Sequence, residues 1–166
     1  MINPFLYQEI LGISPGWYGT ITFFIALGLV VGGTISSRRV ERWGVNCLLL
    51  RALILILLAG LVLVITALLQ ILNVYLLSIP IFFVTIGAGI IYPNSYSGAF
   101  TGINISFGIA GALFGCSQIL TSSVVSVAAA KLPEHNQMPL GMIFIGLALL
   151  GLLVYATVTR RYSAAT

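Results

Sequence analysis

Few residues in this 166-residue chain could do chemistry: seven Lys or Arg, three Asp or Glu and one His. Glu134 and His135 are neighbours and could in principle pass a proton, but they share a hydrophilic loop with Lys131, where a solvated pair is the simple reading. Cys47 and Cys116 stand far apart in separate apolar stretches, so neither a disulfide nor a zinc spacing is present. No Asp, Glu, Lys or His lies well inside any apolar stretch, although such residues mark proton relays and ion sites in membranes. Without convergent acid and base groups or a glycine-rich phosphate cradle, the chain reads as a non-enzyme with no cofactor and no metal site.

Three other constellations could do work by binding or packing. Arg38-Arg39-Val40-Glu41-Arg42-Trp43-Gly44 is one dense cationic segment, with Arg51 close behind and Glu41 placed for a local ion pair. Gly108, Gly111, Gly115, Gln118, Ser122 and Ser126 recur at spacings of three and four, which puts them on one stripe of a helix. Burying the Gln118 amide unpaired would cost about 1 to 3 kcal/mol, so it should face another helix or water, as structural glue or as a substrate contact. Asn94 joins Gln118, Ser122 and Ser126 as a candidate lining of a cavity. Gly28 and Gly32 form a Gly-x-x-x-Gly pair, with Ser36 one step on, and Gly111 and Gly115 repeat the device; both permit close helix approach.

The elements that must position these residues follow from composition. Sixty per cent of the residues are hydrophobic and 6% are charged, against about 25% charged in soluble domains. Such a chain cannot cover a soluble surface, and the net charge of +4 forms no extended basic face for nucleic acid. Stretches at 17 to 37, 47 to 69, 74 to 92, 107 to 129 and 140 to 158 are each long enough to span a bilayer. They lack the alternation of barrel strands, so the fold class is all-α: a polytopic membrane helical bundle of about five transmembrane helices. Pro93 predicts a helix end or kink at Ile91-Tyr92-Pro93-Asn94, and residues 95 to 106 read as an uncharged linker short of regular structure in its middle.

Six arginines fall on one side of these spans and one lysine on the other, which predicts a cytoplasmic 38 to 46 loop and C-terminus and an outside N-terminus. Trp17, Tyr18 and Tyr75 would mark the outer interface, and Trp43, Tyr92 and Tyr155 the inner one. The start of the chain has no basic region before an early apolar run, so no cleavable signal peptide is expected. The second and fifth spans are apolar on every side and are expected against lipid, whereas the first, third and fourth carry small and polar residues suited to a bundle interior.

Asn3-Pro4-Phe5 and Gly12-Ile13-Ser14-Pro15 leading into Trp17-Tyr18-Gly19 resemble the connection between the seventh and eighth helices of the major facilitator superfamily, in its bicyclomycin and chloramphenicol (Bcr/CflA-like) drug-efflux branch. Ala26-Leu27-Gly28-Leu29, then Gly32, Ser36, Arg38, Arg42, Trp43 and Gly44, resemble that branch's helix-eight ending and basic loop. Pro93-Asn94, Ala99-Phe100, Gly108, Ala110, Ala112-Leu113, Gly115 and Gln118 are similar to its stretch from helix ten through helix eleven. Ser36 departs from the branch's frequent Asn, and Gly102 to Ser106 from its Pro-containing, His- or Arg-bearing turn. The resemblance makes Gly32, Arg38, Arg42 and Gly44 the basic-loop motif and implies the C-terminal half of a drug:proton antiporter.

The resulting expectation divides the chain into an extracytoplasmic segment at 1–16, a five-helix transmembrane bundle at 17–159 and a cytoplasmic tail at 160–166. Its implied setting is the bacterial inner membrane, as a multi-pass protein whose partners are the lipid bilayer, a first-half transporter chain or a homo-oligomer, and a small amphipathic drug-like substrate. Nucleic acid is not among them. One incomplete bundle cannot alternate access alone, because transporters of this type rock two bundles about a midplane site. The alternatives are a five-span membrane scaffold or accessory protein, or an inactive relic, without transport.

Overall fold

The computed structural model describes residues 7–8, 11–100, 107–129 and 137–163. Four helices account for nearly all of them: α1 (Pro15–Leu68), α2 (Val74–Phe100), α3 (Phe107–Ala129) and α4 (Met138–Ser163). All four are long and apolar enough to cross a membrane. With no water to pair backbone groups at that depth, helices are the form such runs take.

Helix α1 is two spans joined at one residue. Its 54 residues are helical except Gly44, at φ 72 and ψ 158, a backbone conformation that L side chains avoid. The packing proves that the chain folds back there. Gly32 on the first arm touches α2 at Ile86 and Gly89, while Ala52 and Ile56 on the second arm touch α2 at Gly87. Twenty-four residues of straight helix would set Gly32 and Ile56 about 36 Å apart, yet both meet the same turn of α2. The expected 38 to 46 loop is thus a helical hairpin corner, because every residue from Arg38 to Trp43 is compatible with helix and only the glycine breaks it.

Helix α2 lies between the two arms and also outlasts its expected end, running past Pro93 to Phe100. Residues 95 to 100 of the expected linker are therefore helix, and 101 to 106 lie outside the described residues. Pro93 removes one helical hydrogen bond, but the next residue adds one: Asn94 Nδ2 donates to the Ile90 carbonyl at 2.6 Å. Helix α4 likewise continues through residues 160 to 163, into the expected tail.

The second arm is not surrounded by lipid as expected. It packs on α2 through Leu48, Ala52, Ile86 and Ile90, and on α4 through Gly60 and Gly141, where a Cβ on Gly60 would lie 3.2 Å from the Gly141 carbonyl. Lipid is as apolar as leucine, so small residues that let backbones approach decide which faces meet. Near the other end, Leu63, Leu77, Ile81 and Leu140 gather with Tyr7. Because Gly141 meets Gly60 and Gly151 meets Leu53, α4 runs antiparallel to the second arm. That register carries residues 160 and 161 toward the Gly44 end, where Arg38, Arg39, Arg42 and Arg51 already lie.

Candidate functional site

At the hairpin corner, the guanidinium carbons of Arg39 and Arg51 lie 4.3 and 4.0 Å from the Trp43 ring centroid. Arg39 and Trp43 are helical neighbours four apart, and Arg51 reaches back from the second arm. Stacking of planar guanidinium on indole suits this pairing. The structure thus brings these arginines onto Trp43 rather than to Glu41, and the expected local ion pair does not organise the segment. Arg38 and Arg42 are exposed beside it.

The stripe on α3 forms a groove with α4. Phe114, Ser117, Gln118, Thr121, Ser122 and Val125 line it, Leu147 closes it, and its volume is about 460 Å³. Only the start of α3 is well packed: Ala110 is buried and the Phe114 ring stands edge-on to Tyr92 and Tyr96, at 5.3 and 5.2 Å. Further along, the hydroxyls turn inward to their own helix. Ser117 donates to the Phe114 carbonyl, Thr121 to Ser117, and Ser122 and Ser123 to Ile119. Those bonds satisfy the hydroxyl protons locally. Gln118 is exposed and has no hydrogen-bond partner among the described residues, so one amide offers both donor and acceptor in an otherwise apolar groove. Such a surface suits a small amphipathic molecule.

The other singled-out residues fall elsewhere. Ser126 is exposed on α3 outside the groove lining. Asn94 does not join the groove: it is 4% exposed between α1 and α2, and its amide donates to Ser36 Oγ at 2.7 Å. Gly28 and Gly32 are packing residues, since a Cβ on Gly28 would strike Thr85 Oγ1 and one on Gly32 the Ile86 carbonyl. A Cβ on Gly108 or Gly115 would meet nothing within 4 Å, and one on Gly111 only the Tyr96 hydroxyl, at 3.7 Å. Among the described residues, their small-residue face makes no close approach to another backbone.

Two devices escaped sequence reasoning. Thr85 Oγ1 donates to the Ile25 carbonyl at 2.8 Å, crossing from α2 to α1. Gln137, fully buried, donates from Nε2 to Thr66 Oγ1 at 2.6 Å and to the Ile71 carbonyl at 3.2 Å, tying the start of α4 to the end of α1. A lone Thr in a hydrophobic run was the available signal for the first; the second had none, being a loop glutamine by sequence. Tyr7, outside the spans, shares a 2.7 Å hydrogen bond with Ser78 in the first turns of α2, and because Ser78 donates to the Val74 carbonyl, Tyr7 is the donor. Burial raises the Tyr7 pKa above its ordinary value, which keeps that phenol protonated. No group of three or more His, Cys, Asp or Glu converges among the described residues.

Membrane-length helices and a glycine-cornered hairpin define a polytopic α-helical membrane bundle. Over 158 residues, 95% of its length, the chain is 34% identical to multidrug resistance protein D of Escherichia coli (strain K12). It therefore resembles part of a major facilitator drug-efflux transporter, as residues 3 to 118 suggest by motif. The chain spans 40% of that relative's length. No protein-family model and no solved structure matches it.

Proposed function

We propose that this chain supplies the helices from the eighth onward of a drug exporter that moves small amphipathic compounds outward in exchange for protons, and that its 166 residues do not transport alone. The observation that carries the reading is the open groove on α3 and α4, with Gln118 unpartnered among the described residues on the helix least covered by the others. An unpaired amide on a membrane-length helix calls for a second bundle and a solute path rather than lipid. In this reading the arginine-rich end faces the cytoplasm of a bacterial inner membrane, with the N-terminus outside. The similarity to a multidrug resistance protein of E. coli supports drugs as substrates.

One observation favours the rival reading of an accessory protein: no ionisable side chain lines the groove, so the chain offers no proton carrier there. Efflux of a fluorescent amphipathic cation, in a drug-sensitive bacterium lacking other pumps, separates the readings. The chain alone should give none. Co-expression with the remaining helices of such a transporter should restore export that collapses with the proton gradient. Energy-dependent export by the chain alone would overturn the claim of inactivity, and silence from a pair shown to be inserted would favour the accessory role.

A further inference from the structure

The hairpin corner holds more positive charge than it neutralises. Arg39 and Arg51, both stacked on Trp43, have guanidinium carbons within about 8 Å of each other, with Arg38 and Arg42 exposed alongside. Glu41 is the single acid between residues 38 and 51. Stacking occupies the flat face of a guanidinium and leaves its five N–H donors at the edge, and no acceptor takes them for Arg39 or Arg51 among the described residues. These donors point to an oxyanion with several acceptor oxygens. Directly beyond them the surface turns apolar: Ile35, one turn before Arg39, and Ile54, one turn after Arg51, are both exposed, as is the edge of Trp43. A site with cationic donors on one side and exposed hydrocarbon on the other matches a lipid, phosphate first and acyl chain behind.

We propose that Arg39, Trp43 and Arg51, with Arg38 and Arg42, bind the phosphodiester headgroup of an anionic phospholipid, which bridges the two arms of α1 at the Gly44 corner. The bound phosphate relieves the repulsion between arginines from separate arms and so favours the folded-back corner. The site depends on the chain being a membrane protein and is independent of whether it exports drugs.

Trp43 is its own reporter, because the chain has two tryptophans and Trp17 can be replaced by Phe. The W17F chain is placed in vesicles of phosphatidylcholine containing either brominated phosphatidylglycerol or brominated phosphatidylcholine, and quenching of Trp43 reports the lipid beside it. Phosphatidylglycerol should be preferred by roughly 25-fold, at about fivefold for each of the two stacked arginines. Arg39→Gln with Arg51→Gln should bring the preference near parity, and the exposed pair Arg38→Gln with Arg42→Gln should lower it partway. Arg160→Gln with Arg161→Gln removes equal charge at the same end of the bundle and should leave it intact. Equal quenching by the two lipids in the W17F chain would overturn the proposal without recourse to any arginine variant. So would an equal loss in the Arg160 and Arg161 variant, which would reduce the effect to net charge. Displacement of phosphatidylglycerol by millimolar inorganic phosphate would assign the site to the free ion and overturn the lipid assignment.

Discussion

Gly32 and Gly33 are adjacent on the first arm yet differ in what a methyl group would meet. At Gly32 it would strike the Ile86 carbonyl and lie 3.0 Å from the Gly89 Cα, both backbone that cannot swing aside; at Gly33 it would meet nothing within 4 Å. Gly32→Ala should therefore force α1 from α2 and cost about 1 to 3 kcal/mol, while Gly33→Ala should be neutral or slightly stabilising. Denaturant unfolding in detergent, followed by circular dichroism, measures both, and equal midpoints would contradict the close approach. The packing role of Gly28 and Gly32 was legible because Gly-x-x-x-Gly states a physical need in its spacing. Asn94 was not, since an amide beside a proline reads equally as a cavity wall or a clamp, and only the position of Ser36 on a distant turn of another helix decides it.

Element by element, the apolar runs located the helices well. The fourth span, read as 107 to 129, coincides with α3. What the runs could not convey was how helices end. Proline at 93 and five charged or aromatic residues before Gly44 look like terminators, yet both segments stay helical because a broken helix would leave backbone groups unpaired at the membrane. The fold-back rests on Gly44 alone, at φ 72. Gly44→Ala should cost about 1 to 2 kcal/mol through the left-handed backbone strain, whereas Gly16→Ala, in open space with no such φ, should not. The same unfolding measurement decides it, and an unchanged midpoint for Gly44→Ala would place the corner elsewhere. The contact of the second arm with α4 was hidden for a different reason: Gly60 and Gly141 are single glycines in separate helices, and a two-helix contact made of one residue from each has no periodicity to read.

At the scale of the whole molecule, α2 and α4 both pack on α1, whereas α3 is held chiefly at Phe114 and leaves its Gln118 side open. Composition separated polar-striped from purely apolar helices, but which helix would be bare follows from what else covers it, and that information lies outside this chain's own periodicity. If the groove is one wall of a solute path, it is wet, while the leucine-rich flank of α4 faces lipid. The most direct test uses a chain with Cys47 and Cys116 replaced by Ser, carrying a single new cysteine at Ser122 or at Leu149, both exposed. These chains are treated with a water-soluble thiol reagent in intact membranes. The prediction is labelling of Ser122→Cys and none of Leu149→Cys, with the former suppressed by an amphipathic drug when the remaining transporter helices are co-expressed. Labelling of Leu149→Cys with Ser122→Cys silent would contradict it, because the groove would then face lipid and could be no part of a transport path.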